Sequence, residues 1–141
     1  MNQLIKILVV DDDLDIVEIL KYNLINAGYS VKSARNGIKA IKKAKKFIPD
    51  IILMDVMMPE MSGIEACSEI RKIDALNTTL IIFLSARTED FTQISAYDAG
   101  ADDYISKPIK PKILLKKISN ISKKINAKTN LPEILDLGSM K

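Results

Sequence analysis

Short apolar runs and amphipathic stretches alternate along most of the chain. The runs are Ile5–Val10, Ser30–Ala34, Ile51–Asp55, Leu80–Leu84 and Asp103–Ile105. Ile51-Ile52-Leu53-Met54 and Leu80-Ile81-Ile82-Phe83-Leu84 are apolar at every position, which suits strands buried on both faces. Between the runs lie helix signals. Ile16, Leu20 and Leu24 recur every four residues, and Gly28 follows as a stop. Asn36 reads as the N-cap of a second helix, with Pro49 beyond its end. Ser62 followed by Glu65 reads as a capping box opening a third. A fourth is expected from Thr88 to Ala99, ended by Gly100. A fifth opens with Pro111 and carries the stripe Leu114, Ile118, Ile121 and Ile125.

Strand and helix in alternation, with short links, imply an α/β domain: a parallel sheet covered on both faces. Ligands of such sheets sit just beyond the carboxyl ends of the strands. After Ile125 the pattern changes, and Asn126-Ala127-Lys128-Thr129-Asn130 reads as a linker. The expected organisation is therefore a domain over residues 1–125 and a linker or tail over residues 126–141.

Composition narrows the chemistry. The chain has 141 residues, 48% apolar and 28% charged, an ordinary globular mixture with enough apolar side chains for one core. No run approaches the roughly 20 apolar residues of a membrane helix, and the N-terminal apolar run is too short for a signal peptide. A cytoplasmic protein with no membrane segment is expected. Cys67 is the only cysteine, which excludes an internal disulfide and a thiolate metal cluster. There is no histidine, which removes histidine-based acid–base chemistry and histidine metal ligands. The net charge of +3 is unevenly placed: eight lysines and no acid lie between Lys107 and Lys128, so the remainder carries 3 − 8 = −5. A lysine-rich helix reads first as a solvated face.

Polar residues stand where strands end. The first strand runs into Asp11-Asp12-Asp13, the third ends in Asp55, the fourth is followed by Ser85, and the fifth by Lys107-Pro108. Each has a bland reading. Acids after a strand often begin a helix, where Asp favours the dipole, and this suits Asp13 and Asp15. Asp11 and Asp12 alone fit either reading. Lys-Pro is commonly a turn, and a lone Ser a cap. Their joint placement at strand ends favours one crevice. Carboxylates gathered there raise one another's pKa and call for a cation. All-oxygen ligands favour a hard ion, and magnesium fits. Phosphoryl transfer onto a carboxylate needs this positioning and charge neutralisation. Asp55, alone at the end of a buried strand, is the candidate nucleophile.

Four segments carry a family resemblance. Ile7-Leu8-Val9-Val10-Asp11-Asp12-Asp13, Leu53-Met54-Asp55-Val56-Met57-Met58-Pro59-Glu60-Met61-Ser62-Gly63, Leu84-Ser85-Ala86 and Gly100-Ala101-Asp102-Asp103-Tyr104-Ile105-Ser106-Lys107-Pro108 resemble, at matching spacing, the receiver domains of two-component response regulators. The likeness covers about residues 5 to 125. It implies a flavodoxin-like (βα)5 doubly wound fold with strand order 2-1-3-4-5. It also implies an aspartyl phosphate at Asp55, formed with a sensor histidine kinase as partner. Asp12 would bind magnesium directly, Asp11 mainly through water, and Asp55 and the backbone carbonyl of Met57 would complete the site. Lys107, followed by a cis bond to Pro108, would meet the phosphoryl group. Ser85 would swing toward it, Tyr104 would turn inward behind it, and the small Ala86 would leave room for the donor. Met57 and Arg87 stand where receivers tune dephosphorylation. The biased face would be that of the fourth helix, fifth strand and fifth helix.

The wording around residues 99–111 is most similar to receivers of winged-helix (OmpR/PhoB-type) transcriptional regulators. That implies a phosphorylation-dependent homodimer. Asp102 with Lys117 and Asp103 with Lys124 match two cross-subunit pairs, while Gln93 and Ile113 replace a third. The segment Ile134–Lys141 resembles the cut-off opening of a winged-helix domain, so DNA would be reached only through an effector domain not contained here. The rival is a natural single-domain receiver. A magnesium phosphohydrolase with an aspartate nucleophile is a further rival. It usually has a second Asp two residues on, where this chain has Met57, so the chain is expected to be a switch rather than an enzyme. A pseudo-receiver acting only as a docking module is disfavoured by the intact polar set.

Overall fold

The structure, a computed structural model, describes residues 4–86 and 97–139, with side chains described as far as residue 126. Residues 4–109 form one compact unit and the segment from Lys110 another.

In the first unit the elements are β1 (Lys6–Val10), α1 (Leu14–Asn26), β2 (Ser30–Ala34), α2 (Gly37–Phe47), β3 (Ile51–Asp55), α3 (Gly63–Arg71), a 3-10 turn at Asp74–Leu76, β4 (Leu80–Ser85) and β5 (Asp103–Ser106). The sheet is parallel throughout, in the order β2-β1-β3-β4-β5. This is the expected order. The expected fourth helix falls largely on residues 87–96, outside the described residues; Tyr97 and Asp98 are helical, and Gly100 follows with φ +105°.

Period-two alternation splits the sheet into two buried faces. Leu8, Val10, Ile52, Met54, Ile81 and Phe83 join Ala40, Ala44, Ala66, Cys67 and Ile70 of α2 and α3 in one cluster. The alternate residues, Ile7, Val9, Ile51, Leu53, Ile82 and Leu84, are equally buried. Every residue of β3 is therefore buried, the position the continuous apolar run predicts. On α1 the buried stripe is Val17, Leu20 and Leu24, shifted by one from the expected Ile16. Asp13 caps this helix by accepting from the Asp15 and Ile16 amides. Asn36 caps α2, and Ser62 with Glu65 forms the capping box of α3.

Arg71, at the end of α3, ties distant segments together. Its Nε donates to the Gly100 carbonyl at 2.9 Å, Nη1 to the Thr79 carbonyl at 2.7 Å, and Nη2 to Asp102 Oδ2 at 2.7 Å. The same Asp102 oxygen accepts from the Ile81 amide at 2.8 Å, while the Asp102 amide donates to the Ile81 carbonyl. One guanidinium thus fixes where β5 enters the sheet beside β4. Gly100 lies so close that an added Cβ would come within 2.7 Å of the Arg71 side chain.

The second unit is one helix, Pro111–Ser139. Leu114, Ile118 and Ser122 are its buried side chains, so the expected stripe holds for its first two members. The helix continues through residues 126–139, where the sequence pattern suggests a linker and tail. Ala127, Lys128, Leu131, Glu133 and Leu135 favour helix, but Asn126, Thr129, Asn130, Pro132 and Gly138 oppose it, so propensity does not account for the continuation.

Replacing Arg71 by Met should cost roughly 2–4 kcal/mol, because two carbonyls and the Asp102 carboxylate lose a charged donor. Urea denaturation checks this; an unchanged midpoint would show the network to be dispensable.

Candidate functional site

Strand register brings the polar residues to one rim. Val10 lies opposite Met54, so Asp11 and Asp55 follow side by side. Asp55 lies opposite Leu84, and Ser85 opposite Ser106. The Lys107 amide then donates to the Ser85 carbonyl at 2.7 Å, which places Lys107 at the same rim.

The carboxylates of Asp11, Asp12 and Asp55 can offer oxygens that all lie within 4.8 Å of one another. Asp11 is wholly buried, Asp55 is 6% exposed, and Asp12 is exposed. The Lys107 ammonium reaches Asp11 Oδ2 at 3.0 Å and Asp55 Oδ1 at 3.5 Å. Asp11 Oδ1 accepts from the Asp13 amide at 2.9 Å, and Asp55 Oδ1 from the Met57 amide at 3.3 Å. Asp55 Oδ2 has no hydrogen-bond donor among the described residues, so it is the oxygen open to an incoming group. The peptide bond from Lys107 to Pro108 is cis.

One ammonium cannot neutralise three carboxylates. Two ionised acids less than 5 Å apart repel by roughly 3 kcal/mol at an effective dielectric near 20. Burial, and then the neighbouring Asp11 charge, push the Asp55 carboxyl up to about 6, against the lowering pull of Lys107. Burial works against the charge of Lys107, but its bond to Asp11 and the charges of Asp55 and Asp11 outweigh it and raise its pKa. The donor set fits a hard divalent cation: all oxygens, carboxylates in surplus, and one exposed member able to exchange water.

Three further residues hold this geometry. The Gly63 amide donates to the Val56 carbonyl at 2.8 Å, and a Cβ on Gly63 would fall 2.2 Å from the Asp55 carbonyl oxygen. Only glycine lets α3 start against the end of β3. The Val56 amide donates to the Leu84 carbonyl, extending the β3–β4 ladder past Asp55. Arg71 fixes the approach to β5. The close contact at Gly63 and the long-range role of Arg71 were not legible in the sequence, where a glycine reads as a turn and a terminal arginine as a dipole partner.

The remaining expected residues take these places. Ser85 is buried and Ala86 exposed at the end of β4. Met57 is 63% exposed beside Asp55. Tyr104 packs against the core cluster, and its hydroxyl is buried with no hydrogen-bond partner among the described residues. Asp102 is engaged by Arg71, and Asp103 accepts from the Tyr104 amide at 2.7 Å. Lys117 is half-buried and Lys124 exposed, about two turns apart on the C-terminal helix. Arg87 and Gln93 lie outside the described residues. Cys67 is buried, its thiol pushed by burial up to about 11, and bonded to the Ala99 carbonyl. No helix among the described residues is long and apolar enough to cross a membrane.

Residues 7–119 match the family described as response regulator receiver domain. The chain is 44% identical over 107 residues to the alkaline phosphatase synthesis transcriptional regulatory protein PhoP of Bacillus subtilis, covering 76% of this chain and 44% of that protein. It is 41% identical over 119 residues to the chemotaxis protein CheY of Thermotoga maritima, covering 84% of this chain and 98% of that one. The structure of chemotaxis protein CheY4 of Vibrio cholerae superposes with TM-score 0.81 at 33% identity, covering 84% of this chain and 98% of that one. The chain spans about half the length of the transcriptional regulators it matches.

The Asp55 carboxyl titrates near 6 in this fold against 3.8 for a free group. The folded state therefore holds the proton more tightly, and stability falls as pH rises between those two values. Above that window the cation-free Asp55→Asn protein should be the more stable by up to about 3 kcal/mol, the difference vanishing at lower pH. Magnesium should raise the melting temperature of the unsubstituted protein only where Asp55 is ionised. Calorimetry across this window checks both, and an Asn variant that melts lower at neutral pH would contradict the assignment.

Proposed function

The chain belongs to the response regulator receiver family, and from that premise we propose that it accepts a phosphoryl group onto Asp55 from a sensor histidine kinase. The observation that carries the reading is the shared rim of Asp11, Asp12, Asp55 and Lys107. Asp55 Oδ2 attacks the phosphorus of the donor, and the bond from phosphorus to the kinase's imidazole nitrogen breaks as the new acyl phosphate bond forms. Lys107 stays protonated and meets a phosphoryl oxygen, moving its charge from Asp55 to the new group. Asp11, Asp12, Asp55 and the carbonyl of Met57 are the groups that would hold magnesium. Bound there, the ion supplies the positive charge that offsets the developing charge on the phosphoryl oxygens. The exposed Ala86 leaves the donor a path to Asp55.

Phosphorylation adds about −1.5 to −2 charges and three acceptor oxygens at this rim. Ser85 donates to one of them, and Tyr104 fills the space behind it. The segment between β4 and β5, the strand β5 and the C-terminal helix are the elements so biased. Aspartyl phosphate is labile, so the domain is a switch that promotes its own loading and unloading rather than a metabolic enzyme.

The transcriptional regulators it matches are longer than this chain. Their names support an output in transcription; we extend this to action in the cytoplasm through a DNA-binding domain, with dimerisation by the acids Asp102 and Asp103 and the lysines Lys117 and Lys124. In that arrangement Asp102 would share its carboxylate between Arg71 and the partner. The near-complete coverage of a chemotaxis protein favours a second reading, a receiver acting through its own surface.

Incubation with acetyl phosphate and magnesium should add one phosphoryl mass on Asp55, abolished by Asp55→Asn and reduced at least tenfold by Lys107→Ala. Unchanged labelling of the Asn variant would refute the role of Asp55.

A further inference from the structure

A second charged surface lies away from the rim. Residues 30–49 contain seven cations, Lys32, Arg35, Lys39, Lys42, Lys43, Lys45 and Lys46, and no acid. They lie on β2, an edge strand of the sheet, on the link after it and on the outer face of α2, and all seven are exposed. Lys39, Lys42, Lys43 and Lys46 follow the spacing of one helix face. Ala40 and Ala44 turn the opposite face into the core.

Helix stability does not explain this placement. Lys45 and Lys46 in the last turn suit the dipole, but the first turn has no acid and carries Lys39, where a cation is unfavourable. Lys39 with Lys43, and Lys42 with Lys46, are like-charge pairs four residues apart, which repel. Arg35, Lys39, Lys42, Lys45 and Lys46 have no ion-pair partner among the described residues. Two flanking lysines are instead held in place. Lys32 sits over the Phe47 ring at 4.9 Å, and Lys6 sits over the same ring at 5.4 Å while donating to the Phe47 carbonyl. Lys43 donates to the Ser33 carbonyl. The result is an exposed row of positive charge, flanked by lysines held in place.

We propose that the β2–α2 face binds the phosphate backbone of duplex DNA without sequence preference. The row from Lys39 to Lys46 extends about 10 Å along the helix, the reach of about three phosphates at roughly 3.4 Å per phosphate along one strand. Lysine tips without Asn, Gln or Arg on the helix face have charge to offer but no fork for base edges. An anionic bilayer is the poorer fit, because the apolar side of α2 is spent on the core. The face acts whether or not Asp55 is phosphorylated, so it stands apart from the switch.

The test is fluorescence anisotropy of a labelled duplex of arbitrary sequence with the full chain at several salt concentrations. Binding should weaken with a slope of about −3 in log K against log salt, from about three contacts. Lys39→Glu/Lys42→Glu/Lys46→Glu should weaken it more than tenfold, and the milder Gln triple severalfold. The reversal Lys112→Glu/Lys116→Glu/Lys123→Glu changes net charge equally and should weaken it less than threefold. Acetyl phosphate labelling of the α2 variants should match the unsubstituted protein, which separates failure of this proposal from failure of the phosphoacceptor assignment. Absence of salt-dependent binding, or equal loss in both sets of variants, overturns the proposal. So does DNA binding that survives the α2 changes while binding to phosphatidylglycerol vesicles is lost.

Discussion

Lys107 stands between two buried acids, and its single charge falls short of theirs. Its ammonium lies 3.0 Å from Asp11 and 3.5 Å from Asp55, with Asp12 beside them. With all groups ionised the rim carries −3 + 1 = −2. Burial makes the deficit costly, which is why the Asp55 carboxyl sits near 6. A site in this condition accepts a cation, a proton or both, and each alters what Asp55 can do next. The chemistry of the domain rests on that imbalance.

The rest of the fold serves to hold the imbalance in place. The parallel register aligns the ends of β1, β3, β4 and β5. Packing on both sides fixes that register, because a slip by one residue would exchange the side chains of two differently packed faces and draw a rim carboxylate into the core. Gly63 lets α3 begin against the carbonyl of Asp55, and Arg71 at the other end of α3 anchors the entry to β5. The same helix thus steadies the strand that bears Asp55 and the strand that leads to Lys107. Tyr104, on β5, packs against the core cluster with its hydroxyl buried and without a partner among the described residues.

Much of this was legible in the sequence. The continuous apolar runs at Ile51–Met54 and Leu80–Leu84 gave doubly buried strands, and the Ser62 and Glu65 pair gave a capping box. Those signals are local, so short-range physics suffices. The rim was legible because the carboxyl ends of parallel strands share one edge, and the expected order sets β1 beside β3 and β4 beside β5 there. Two further features, besides the Gly63 contact and the reach of Arg71, were not legible. The stripe on α1 is shifted from Ile16 to Val17, since both residues are apolar and only packing chooses between them. The helix through residues 126–139 runs across Asn126, Thr129, Asn130, Pro132 and Gly138, each unfavourable to helix.

The central claim is that the rim traps a divalent cation. Manganese is a paramagnetic stand-in for magnesium with the same taste for oxygen, and its broadening of amide signals falls steeply with distance. Titrating it into the isotopically labelled protein should erase the signals of Asp11, Asp12, Val56 and Met57 first and those at the opposite end of the sheet, at Lys6, Ser30 and Leu80, last. Magnesium in excess should restore them. Signals that vanish elsewhere first, or none at all at saturating ion, would contradict the account.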